Sequence, residues 1–140
     1  MHHTFDDHVA EILADEISGF DDHYYDLVEL YDGDLDAEIL LMELADFVSD
    51  LLITRQDDGR LEQCAAAIEE VAALPREGAR FVLDCFLAEL PAAVLERLRP
   101  MLGPRTGALA RFLESRRAAA RLAQPRSVAG SAASTASMQR

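Results

Sequence analysis

At 140 residues, half of them apolar, the chain is long enough for one domain with a buried core, which excludes a wholly disordered protein. Its formal charge of −13 excludes direct binding of nucleic acid or an anionic membrane by most of its surface. No apolar run approaches the roughly 18 residues of a membrane span, and the start MHHTFDDH has neither part of a signal peptide, so a cytoplasmic protein is expected.

Apolar residues recur at three- and four-residue steps and β-branched residues are sparse, which predicts an all-α fold. A first helix is expected over 5–18, with Phe5, Val9, Ile12, Leu13 and Ile17 on one side and Gly19 ending it. Asp21 or Asp22 then caps a short helix carrying Tyr24, Leu27, Val28 and Tyr31. The broadest apolar stripe follows over 34–53, through Leu40, Leu41, Leu44, Phe47, Val48, Leu51 and Leu52, with Ile39 and Met42 beside it. That width predicts the central core helix, capped by Asp34 or Asp36.

Residues 56–59 read as a turn, and 60–74 as a helix with Leu61, Cys64, Ala65, Ile68, Val71 and Ala72 inward. Pro75 is expected to begin the next helix, lined by Phe81, Val82, Cys85, Phe86 and Leu90. Pro91 begins a short one, and after a break at Leu102-Gly103-Pro104 a last helix runs to Ala123 over Leu109, Phe112 and Leu113. Six to seven short helices joined by short turns predict a compact bundle of successive antiparallel hairpins, with α-solenoid-like stacking of the later pairs left open. Residues 1–123 form the expected domain. Residues 124–140 are small and polar and are expected to be a disordered tail.

The charge is unevenly spread. Residues 1–60 carry 18 acidic side chains against Arg55 and Arg60, whereas residues 101–140 carry Glu114 against seven arginines. All 13 basic residues are Arg. An acidic half of this kind suits a basic protein partner, although acidity also serves solubility alone. The basic cluster Arg111, Arg116, Arg117, Arg121 and Arg126 is expected to complement the end of the last helix, or to pair with acids of this chain or of a second copy.

A further clue comes from residues 40–113, where Met42-Glu43-Leu44 lies in an apolar helix and Phe86, Leu87, Glu89 and Leu90 form a Phe-Leu-x-Glu-Leu stretch. With the Leu-Gly-Pro break, this resembles a family of small, uncharacterised bacterial all-helical proteins that look like immunity proteins of polymorphic toxin systems. The resemblance implies a helical fold and an inhibitory role. Its motifs are packing and turn residues, so it transfers no functional residue.

Chemistry-bearing patterns are few. Asp32, Asp34, Asp36 and Glu43 fall at the first, third, fifth and twelfth positions of a calcium loop, but Ala37 stands where that loop needs Gly; an acidic helix-capping turn is the other reading. His2, His3, His8 and His23 lack the spacing of a zinc pair. Neither a phosphate-binding Gly-rich loop nor an oxyanion motif is present, and Cys64 and Cys85 on apolar faces read as reduced core thiols. No catalysis and no cofactor are therefore expected.

The sequence favours a non-catalytic, acidic, immunity- or antitoxin-like inhibitor that occludes a basic effector or toxin. Its binding face is expected to comprise Asp15, Asp21, Asp22, Tyr24, Tyr25, Asp26, Glu29 and Asp32, with at least one tyrosine buried. An acidic adaptor, a DNA mimic or a calcium-responsive protein is the alternative, and a homodimer remains open.

Overall fold

The first N–H groups of an α-helix have no partner inside it, and here side-chain oxygens meet them at the helices that build the core. The computed structural model describes residues 4–123, and over them the chain forms seven α-helices and no strand. Helix α1 (Phe5–Glu16) starts at Thr4, whose hydroxyl accepts the Asp7 N–H at 3.1 Å while the Asp7 carboxylate accepts the Thr4 N–H at 3.3 Å. Helix α2 (Phe20–Leu30) has no such cap. It enters through Gly19 at φ +82°, a left-handed turn that favours glycine.

Helix α3 (Ala37–Asp50) starts at Asp36, which accepts the Ile39 N–H at 3.0 Å. Asp6 reaches across from α1 to accept the Ala37 N–H at 2.9 Å, so one start is served by two carboxylates. Helix α4 (Asp58–Ala72) starts at Asp57, which accepts the Arg60 N–H at 3.0 Å. Three further helices follow: α5 (Gly78–Phe81), α6 (Ala92–Leu98) and α7 (Pro104–Ala123).

The core forms where α1 packs on α3 and on α4, and α3 and α4 in turn pack on the segment 82–90. Val9, Leu13, Leu40, Leu41, Leu44, Val48, Leu61, Ile68, Val71, Phe86 and Leu87 are all buried. Helix α2 leans on α1 through Phe20 and Leu27, and α7 leans on α4 through Ala110 and Leu113. The stripe of α3 is thus central, as its width predicts.

Several boundaries differ from the periodicity. The central helix ends at Asp50, and residues Leu51–Arg55 continue with wider, i→i+5 hydrogen bonding until Gln56 reverses the chain at φ +53°. Pro75 begins no helix: it lies in a turn with Arg76 at φ +71°, and α5 starts three residues later. The cause is tertiary, because Gly78 packs so closely on the end of α4 that a Cβ there would collide with the Val71 carbonyl oxygen. After α5 the path widens over Val82–Phe86 and tightens over Leu87–Glu89. Phe112, expected inward, is 53% exposed, and Thr106, Ala110 and Leu113 form the inner side of α7. The expected tail at 124–140, with Arg126, and residues His2 and His3 lie outside the described residues.

Helix α7 starts against a side chain of α4. The half-buried Glu69 carboxylate accepts the Arg105 N–H at 2.9 Å, the Thr106 N–H at 3.0 Å and the Thr106 hydroxyl at 2.7 Å. Burial by itself would push this carboxyl up. The Thr106 and Arg105 hydrogen bonds and the Arg105 charge outweigh it and hold Glu69 below the usual carboxylate range. Glu70, next in the chain, behaves oppositely: its hydrogen bond to Glu16 of α1, then burial, then the Glu16 charge, raise it.

The two glutamates therefore give opposite pH signatures. Glu69 is lowered, so its contribution is present above the unfolded value of 4.5 and is lost as pH falls through its folded value. In urea unfolding, Glu69→Gln is expected to be about 1–2 kcal/mol less stable than the parent at pH 7, with the gap narrowing as pH falls below the ordinary carboxylate range. Glu70 is raised, so its contribution is present below the unfolded value and is lost as pH rises. Glu70→Gln should raise the melting midpoint at pH 7 and leave it unchanged in acid.

Candidate acidic interface

On α2 the residues Asp22, Asp26 and Glu29 follow at i, i+4 and i+7, which puts three carboxylates on one line of the helix. On α3 Glu43, Asp46 and Asp50 follow at i, i+3 and i+7 and do the same. Phe20, fully buried, is the anchor between the two helices. Its ring meets Phe47 of α3 edge-on at 5.5 Å, and His23 of α2 lies 5.5 Å from each of them.

Between the two lines lies an open depression bordered by Asp26, Glu43, Asp46 and Asp50, with the half-buried His23 and Phe47 among them. Gly19 and Arg60 close one end, the Arg60 guanidinium lying 3.6 Å from the Asp57 carboxylate. Carboxylates around a partly apolar floor can receive a guanidinium or ammonium group, since the charge pairs with the rim while the alkyl stem covers the rings.

The expected binding residues are only partly gathered here. Asp21, Asp22, Tyr25, Asp26 and Glu29 are exposed on α2, with Tyr25 at 66%, and Asp15 is exposed near the end of α1. Asp32 lies beyond α2 in the turn, at φ +55°. Tyr24 is half-buried against the core, 6.0 Å from the Tyr25 ring. No tyrosine is fully buried, contrary to the expectation for the trio, because Tyr24 and Tyr31 sit at the edge of the core and Tyr25 points away from it.

Asp26 alone of the expected face borders the depression. Asp46, Asp50, His23 and Phe47 were missed as site residues, although the i, i+3, i+7 spacing of the α3 acids was a readable signal.

The calcium-loop residues are divided among other tasks. Asp36 caps α3, and Glu43 accepts the Tyr31 hydroxyl at 3.0 Å. Among the described residues no group of three or more His, Cys, Asp or Glu side chains could hold a metal ion. Cys64 is buried and its thiol is pushed up to about 12, chiefly by burial. Cys85, half-buried, is pushed up to about 11 by burial and then by the charges of Glu38, Asp84 and Glu89. Both thiols stay protonated at neutral pH, which leaves them poor nucleophiles.

Of the cluster expected to complement the end of α7, Arg121 lies in its last turn, whereas Arg117 and Arg116 make other contacts, and Arg99, from before α7, pairs with an acid on it. Arg117 donates to the Ala88 carbonyl at 3.2 Å, Arg99 pairs with Glu114, and Arg116 lies 5.4 Å over the Phe112 ring.

Compared with protein-family models, with curated proteins and with solved structures, the chain matches none. No helix among the described residues is long and apolar enough to cross a membrane.

The Tyr31–Glu43 bond fastens the end of α2 to α3 at the edge of this acidic face. The hydrogen bond to Glu43, then its charge, then burial and Asp46, raise the Tyr31 phenol above its ordinary value of 10.0. In a spectrophotometric titration, Tyr31→Phe should lack a phenolate step that the parent completes above that value.

Proposed function

We propose that this protein is a non-catalytic inhibitor of the immunity or antitoxin kind, which occludes a basic effector protein in the cytoplasm. The observation that carries the reading is the acidic face of α2 and α3, where carboxylates on two helices surround the half-buried His23 and Phe47. Electrostatic attraction would steer a basic surface toward this face at long range. Close packing on Phe47, Tyr25 and His23 would then slow dissociation.

The resemblance at 40–113 to immunity-like helical proteins points the same way. A passive role also agrees with two thiols held protonated and with α2 acids displayed on a helix instead of converging on one reacting atom.

The reading is tested by immobilising the protein, passing over it a lysate of the source organism, and identifying what remains at low and at high salt. One basic protein, retained stoichiometrically and released as salt rises, is the expected result. The same capture with the Asp21, Asp22, Asp26 and Asp32 to Asn quadruple variant should lose most of that protein. Unchanged retention by the variant would remove the acids of α2 and of the turn after it from the interface.

A further inference from the structure

The outer side of α7 carries a second, oppositely charged surface. Ala108, Phe112, Ser115, Ala119 and Leu122 are all exposed and follow at steps of four, three, four and three residues. Such spacing draws a single seam along a helix, the pattern by which one helix packs on another. Phe112 is 53% exposed, with only the Arg116 guanidinium over its ring, and Leu122 is 86% exposed, so no helix among the described residues packs on this seam. Arg111 lies on one side of the seam and Arg116 on the other, both exposed. Two seams of this kind would repel each other, and the partner must therefore be acidic.

The chain itself bears a surface of that description. The outer side of α2 displays Asp22, Asp26 and Glu29 beside the exposed Tyr25 and Leu30. The packing order prevents the two surfaces from meeting within one molecule: α2 rests on α1, α1 on α4 and α4 on α7, so two helices stand between them. A second copy has no such obstacle.

We propose that the outer face of α7 docks on the outer face of α2 of a second copy of this chain. Arg111 and Arg116 pair with Asp22, Asp26 and Glu29, while Phe112 packs beside Tyr25. The contact joins two different surfaces, so it closes into a dimer or ring, or continues as a chain of copies. It also covers the α2 acids, so copies that associate in this way withhold that face from any basic partner.

Sedimentation of the purified protein alone tests this, and the result does not depend on the existence of an effector. The species should exceed the 15.4 kDa monomer at about 0.01 M ionic strength. It should return to the monomer at about 1 M, where charges act over only roughly 3 Å.

Two charge-reversed proteins decide which faces are used: one with Asp22→Arg, Asp26→Arg and Glu29→Arg, the other with Arg111→Glu and Arg116→Glu. Every substituted side chain is exposed, so both should keep the parental helical spectrum and melting midpoint. Each is expected to be monomeric alone at low salt. Mixed in equal amounts they should associate, because the intact α7 of the first meets the intact α2 of the second. A parent that is monomeric at both salts overturns the proposal. So does association by either variant alone, or a mixture that stays monomeric.

Discussion

The start of α7 depends on one carboxylate supplied by another helix. Glu69 of α4 takes two backbone N–H groups and a hydroxyl from Arg105 and Thr106, and it does so half-buried. A helix start in that position would otherwise leave polar groups without partners beside the core, a penalty larger than the net gain of an ordinary hydrogen bond. Gly103 fits this arrangement, because a Cβ there would stand 2.6 Å from the Glu69 carboxyl group. The most basic helix of the protein is thus anchored by an acid, and its inner side is narrow: Thr106, Ala110 and Leu113. Among the described residues no helix packs on its outer side.

The same device recurs at the acidic end. Asp6 of α1 serves the start of α3, and Asp36 and Asp57 serve their own helices. Arginines do the converse work at carbonyl ends, Arg97 toward Leu52 and Arg117 toward Ala88. Charges engaged in this way are structural. The exposed charges are segregated, with carboxylates on the outer sides of α2 and α3 and guanidinium groups on the outer side of α7. This separation makes both the acidic face and the basic seam available for association.

How the acids divide between these two tasks was only partly legible. The capping of α3 by Asp36 followed from its place before an apolar stripe, and an acidic capping turn was one of the two readings of residues 32–43. The positions of Asp46 and Asp50 beside Asp26 were not legible, because they depend on Phe20 docking against Phe47 across two helices. Glu69 looked like any solvated glutamate on α4. Its role exists only because α7 returns to that helix 36 residues later.

Composition and spacing alone determined the helical class, α3 as the central helix, the reduced thiols and the division of charge along the chain. Those properties are local or additive: a stripe on a helix and a count of carboxylates do not depend on what packs where. Tertiary structure decided the rest. It moved the start of α5 from Pro75 to Gly78, because only glycine tolerates the approach to Val71. It turned Phe112 outward, because the small Ala110 and the hydroxyl of Thr106 let α7 lie close to α4 on the other side. It also gathered a border of acids from two helices around His23 and Phe47, since proximity between elements is set by the packing of the core and not by distance along the chain.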